Sequence, residues 1–124
     1  MKFKLLILAL VLSSCASNNT KLDKKLPYNS QGFAYIYNNQ DFKDGIISGK
    51  LDNSLLQVSH KELKRNTLIK IINPKTMESL TVKNLKKIDY PDFYKILITE
   101  KIANELNINR NLPLIEILEI KKNK

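Results

Sequence analysis

Thr67-Leu68-Ile69-Lys70-Ile71-Ile72-Asn73-Pro74-Lys75-Thr76-Met77-Glu78-Ser79-Leu80-Thr81-Val82-Lys83 is the stretch whose reading decides the fold. Leu68-Ile69-Lys70-Ile71 alternates apolar and polar side chains in β-branched residues, the pattern of a half-buried strand. Asn73-Pro74-Lys75-Thr76 interrupts two such runs. Proline offers no amide donor to a sheet ladder and asparagine closes turns, so this segment reads as the loop of a hairpin.

Working outward, Leu114-Ile115-Glu116-Ile117 alternates in the same way. Short β-rich runs cover 33–37, 55–59, 67–72, 80–83, 96–98 and 115–120, which predicts a mainly β domain of about six strands. One helix is predicted over 99–106. Thr99 can cap its first turn, Ile102, Ala103 and Leu106 share a core-facing side, and Asn107 can take the left-handed closing position.

The N-terminus has the three parts of a secretory signal: basic Met1-Lys2-Phe3-Lys4, an apolar run from Leu5 to Leu12, then Ser13 and Ser14. The run is too short to span a bilayer, which needs about 20 apolar residues. Leu12-Ser13-Ser14-Cys15 resembles a lipobox, and Cys15 is the only cysteine, so residues 1–14 are read as a lipoprotein signal peptide with lipid on Cys15. Residues 15–31 are polar and without apolar periodicity. They read as a lipidated flexible tether reaching roughly 20 Å from the membrane, ahead of a domain over 32–121. Ala16 is not the aspartate that commonly holds lipoproteins on the inner membrane, so the expected location is the periplasmic face of the outer membrane.

The whole chain carries 21 basic and 12 acidic residues, and loss of the two signal-peptide lysines leaves it near +7. The lysines are scattered rather than stacked on one helix with interleaved aromatics, so no nucleic-acid partner is expected. The abundance of Lys, Asn and Ile fits an AT-rich genome. Phosphate loops, paired metal ligands and the Gly-x-Ser-x-Gly nucleophile motif are absent from the sequence, and neither metal nor cofactor is expected.

Gly32-Phe33-Ala34-Tyr35, Ile46-Ile47-Ser48-Gly49-Lys50 and Val58-Ser59-His60-Lys61-Glu62-Leu63-Lys64-Arg65-Asn66-Thr67 occur in that order. They resemble the Gly-x-Ala opening, the Thr-Ala-Ser-Gly-Glu segment and the Ala-Ala-His-Lys-Thr-Leu-Pro-x-Gly-Thr run of the rare lipoprotein A family of septal-ring lytic transglycosylases. The family's closing Leu-Ser-x-x-Ala-Ala-x-x-Leu-Gly-Met run is similar to Ile98, Thr99, Ile102, Ala103, Leu106, Asn107 and Ile108. The resemblance covers almost the whole domain. It implies a six-stranded double-psi β-barrel with one short helix, and Ile69, Ile71, Val82, Ile98 and Ile117 are then expected inside.

Three acidic positions of the family pattern fall on Lys50, Lys86 and Leu97. Cleavage by such an enzyme needs a carboxylic acid tuned near neutral pH, whereas lysine, with an ordinary pKa of about 10.4, is a poor proton donor there. The resemblance therefore implies an envelope lipoprotein that binds peptidoglycan glycan strands, or septal and envelope proteins, with lost or weak lytic activity. His60, Lys50, Lys86 and Tyr35 are the implied ligand contacts. A working transglycosylase would instead pair His60 with Asp89, from a shifted Ile88-Asp89-Tyr90-Pro91 turn. A structural lipoprotein acting through protein contacts alone is the third expectation. Read without the family, a lone histidine at a strand end is more often satisfied by a backbone hydrogen bond. Tyr35, Tyr37, Tyr90, Phe93 and Tyr94 fit either a sugar-stacking platform or the core.

Overall fold

Six strands, β1 (Asn29–Ile36), β2 (Val58–Ser59), β3 (Leu68–Ile72), β4 (Ser79–Lys83), β5 (Ile96–Ile98) and β6 (Leu114–Ile120), form a single sheet in the order β2-β5-β1-β6-β3-β4. They belong to a computed structural model describing residues 26–85 and 87–121, so the signal segment, Cys15 and Lys86 lie outside the described residues. β3 and β4 make the predicted hairpin, with Ile69 opposite Val82 and Ile71 opposite Leu80. β6 joins that hairpin to β1 by antiparallel ladders on both its sides. β1 and β5 run parallel.

The sheet curls until its ends nearly meet. Val58 of β2 forms a parallel bridge to Asn84, just past β4, and the Leu85 amide donates to the Val58 carbonyl at 3.1 Å. Asn84 then fills the seam with its side chain. It is wholly buried: Nδ2 donates to the carbonyls of Leu63 (2.8 Å), His60 (3.1 Å) and Lys64 (3.2 Å), and Oδ1 accepts from the His60 amide at 2.8 Å. One polar side chain thus does what a further stretch of ladder would do, satisfying buried backbone groups where the two strands part.

Inside the barrel, Ile69, Ile71, Val82, Ile96, Ile98, Ile115 and Ile117 are buried, including all five residues expected there. Helix α2 (Glu100–Glu105) closes one end with Ile102 and Ala103. It matches the predicted helix, and Asn107 takes the left-handed position with φ 53°. The first turn is capped differently from expectation. Thr99 turns its hydroxyl to the Leu55 carbonyl, and Asn53 Oδ1, from a distant loop, accepts from the Glu100 amide at 2.9 Å. At the other end Asn73 Nδ2 donates to the Leu106 carbonyl at 2.8 Å, tying the hairpin loop to the helix C-terminus.

Two expectations are corrected. There are two short helices rather than one: α1 (Asn39–Lys43) has no buried residue and is held by Asn38, whose side chain accepts from the Gln40 amide. Nothing in its pattern marks an apolar face. The first strand also begins inside the segment assigned to the tether, since Asn29, Ser30 and Gln31 pair with Leu118, Ile117 and Glu116. Their polar side chains hid a strand whose ladder is made by backbone. Outside the barrel wall, Leu97 of β5 packs with Tyr37, Ile47, Leu51, Ile88 and Tyr90 in a second core. No helix among the described residues is long and apolar enough to cross a membrane.

Candidate functional site

β2 delivers His60 to the barrel seam, where Asn84 holds its backbone and the ring is 1% exposed. Nδ1 accepts from the amides of Glu62 (3.1 Å) and Leu63 (3.3 Å), so in the neutral ring the proton is assigned to Nε2. That nitrogen is buried and has no hydrogen-bond partner. Burial pushes the imidazole pKa below its ordinary value, the Glu62 charge partly opposes this, and the Lys95 charge adds to it. His60 is therefore neutral at neutral pH and a donor through Nε2 only.

A cavity of about 170 Å³ lies against His60, bounded by Tyr28, Glu62, Tyr90, Tyr94 and Lys95. The Tyr28 ring stands nearly perpendicular to the imidazole, 4.8 Å between centroids. On one side Lys61 Nζ donates to the Tyr90 carbonyl at 2.6 Å and to Asp92 at 2.8 Å, and lies 4.4 Å from the centre of the Tyr90 ring. The Lys61 hydrogen bond and charge hold Asp92 below the usual carboxylate range, so it carries no proton at neutral pH. Burial pushes the Tyr90 hydroxyl up to about 12.

Asp89 is not part of this cavity. It is exposed, and its backbone exchanges hydrogen bonds with Ser48 instead, through Ser48 Oγ at 2.8 Å and the Ser48 amide at 3.1 Å. The expected pairing of Asp89 with His60 is not formed. Lys50 is exposed as well, with its ammonium 5.6 Å from the centre of the Phe42 ring and away from both cavities. Lys86 lies outside the described residues. Among the described residues no three His, Cys, Asp or Glu side chains gather as metal ligands.

Tyr35 is half-buried in a second, larger depression of about 520 Å³. Its hydroxyl donates to Asp41 Oδ2 at 2.7 Å, and burial together with that carboxylate raises its pKa. Phe33 and Phe93 stack here at 5.5 Å and 14°, Phe93 meets Tyr94 edge-on at 5.1 Å, and Tyr94 meets Tyr35 edge-on at 4.8 Å. Phe93 is 66% exposed, which is unusual for so large an apolar side chain. Arg110, at the opposite rim, is fixed by Glu100 and by Asn104 Oδ1. Tyr94 borders both depressions, so His60 and Tyr35 lie at two adjoining sites.

Of the five tyrosines and phenylalanines weighed as a platform, Tyr37 and Tyr90 are core, and Tyr35, Phe93 and Tyr94 line the groove. Phe33, quoted in the sequence only as part of the Gly-x-Ala opening, and Asp41 and Arg110, which no motif marked, are additions to the expected site. Their signal is only spatial, since β1, helix α1 and the loop before β6 bring them together around Phe93 and Tyr94 of the loop before β5. Comparison of the sequence with protein-family models and with curated proteins finds no match.

Proposed function

We propose that this chain is a lipid-anchored envelope protein whose barrel binds peptidoglycan glycan strands without cutting them. The observation that carries the reading is the open aromatic groove. A pyranose ring stacks the apolar face of its C–H bonds on an aromatic ring such as Phe93 and needs polar partners for its hydroxyls, which Asp41, Asn38 and Arg110 offer at the rim.

The rare lipoprotein A resemblance supports the same reading. Asn66 and Asn107 stand where that family's pattern has glycine, and both have positive φ, 72° and 53°. Asparagine is among the few side chains that tolerate this backbone region. The parallel β1–β5 ladder and the isolated parallel bridge from Val58 to Asn84, just past β4, are compatible with the double-psi barrel the resemblance implies. The non-cleaving half of the proposal rests on proton supply: His60 is neutral, Asp92 is ionised, Asp89 lies elsewhere, and Glu62 is exposed to water. Neither the neutral imidazole of His60, whose remaining Nε2 proton is too weakly acidic to transfer, nor the ionised Asp92 can protonate a glycosidic oxygen.

Incubation of the protein with purified sacculi tests both halves. The proposal expects co-sedimentation and no anhydro-muropeptides; release of anhydro-sugars makes the chain a transglycosylase, and failure to sediment removes glycan as the ligand. Anchoring is tested separately by feeding cells a fatty-acid analogue, which should label the wild type and leave Cys15→Ser as an unlabelled, uncleaved precursor. An unlabelled wild type refutes the lipid.

A further inference from the structure

The cavity beside His60 contains a donor that the fold leaves unused. Two backbone amides occupy Nδ1, so the neutral ring offers a proton only through Nε2, and that buried group has no partner. Buried polar groups in folded proteins are nearly always paired, and an exception sited against a cavity points to a ligand that accepts a hydrogen bond. Lys95 supplies the charge. Its stem packs over Gly32, where an added Cβ would come within 2.6 Å of Lys95 Cγ, so the missing side chain of Gly32 makes room for the lysine, which lines the same cavity as His60. Its ammonium has no carboxylate within ion-pair distance among the described residues, whereas Lys61 is already neutralised by Asp92.

We propose that this cavity is a binding site for a small monocarboxylate, one oxygen accepting from His60 Nε2 and the charge facing Lys95. A cation is disfavoured by Lys95 and by the absence of a free lone pair on the imidazole. With the Lys61–Asp92 pair neutralised, Glu62 leaves Lys95 too little surplus charge for a dianion such as phosphate. A cavity of about 170 Å³ suits a carboxylate carried on one or a few carbons. Tyr28, half-buried and edge-on to the imidazole, is the cover the carboxylate turns aside on entry. Glu62, Tyr28, Tyr90, Tyr94, Lys95 and the Lys61–Asp92 pair are the titratable groups around His60, so binding is read at constant pH. The site stands independently of the glycan reading.

His60 is the only histidine, so nitrogen-15 in histidine alone reports the site without ambiguity. Titrating the full chain with sodium acetate at fixed pH and ionic strength should move the Nε2 resonance saturably in the millimolar range, leaving Nδ1 in its acceptor state. Inorganic phosphate should bind at least about tenfold more weakly, and sodium chloride should have no saturable effect. Lys95→Met keeps the stem and removes the charge, and should weaken acetate about tenfold or more. A linear, unsaturated response to acetate in folded wild type overturns the proposal. So does a Lys95→Met variant that titrates like wild type, or phosphate binding as tightly as acetate.

Discussion

Replacing Asn84 with Ala should open the barrel where β2 and β4 fail to form a full ladder. Asn84 is 0% exposed, and its amide joins the His60 amide to the carbonyls of His60, Leu63 and Lys64. The change leaves at least the His60 N–H and the Leu63 C=O buried without the partners they have at 2.8 Å. Each such orphan costs about 1–3 kcal/mol, so the pair should cost about 2–6 kcal/mol, a large share of the stability of a small domain. With a urea slope of about 2 kcal/mol per molar, the unfolding midpoint should fall by about 1–3 M. Amide exchange should show the loss at its source, with His60 and Leu63 losing protection before β3 and β6. Asn84→Asp is the sharper variant, because the same shape then faces three carbonyls with a carboxylate and should destabilise more than alanine. A midpoint shift under about 0.5 M for Asn84→Ala, or protection lost evenly around the barrel, refutes the seam argument.

Met77 has φ 67° in the hairpin loop and is 68% exposed, so Met77→Gly should raise stability by about 0.5–1 kcal/mol, the relief of a left-handed residue less the extra entropy of glycine. Thermal unfolding of the two proteins checks the sign. Burial holds the folded-state pKa of His60 below its ordinary value, so the unfolded chain takes up that proton first as pH falls. The associated stability is intact above about pH 6.5 and declines as pH drops towards the folded-state value, a slope below about pH 6.5 that His60→Gln should flatten. Ile71→Ala, in the barrel interior, should cost about 2–5 kcal/mol in the same denaturant assay, and a smaller loss would remove Ile71 from the packed core.

The strands were legible where apolar and polar residues alternate or where β-branched residues cluster. β3, β4 and β6 follow their pattern closely because one face of each is barrel interior. The hairpin and the left-handed Asn107 were legible from turn chemistry. Strand order was not, because the parallel β1–β5 contact depends on long crossovers that leave no local trace. The beginning of β1 was hidden for a different reason: Asn29 to Gln31 contribute backbone to the ladder while their side chains bring little apolar surface. His60 was legible as a residue of interest, but its environment was not. Its proton location depends on the amides of Glu62 and Leu63, and its charge neighbours on Lys95. The aromatic groove was half legible, since Phe93-Tyr94 is visible as a pair while Phe33 and Arg110 join it only in space.

Phe93 separates the glycan reading from its rivals, because it is exposed, stacks on Phe33 and belongs to neither packed core. Its truncation should leave folding intact while removing the stacking surface. Quantitative co-sedimentation of wild type and Phe93→Ala with purified sacculi, at fixed salt and followed by muropeptide analysis of the supernatant, is the most direct measurement. The account predicts saturable binding by wild type, affinity about tenfold lower for Phe93→Ala, and no anhydro-muropeptides from either. Equal sedimentation of the two proteins, or none by wild type, would contradict it.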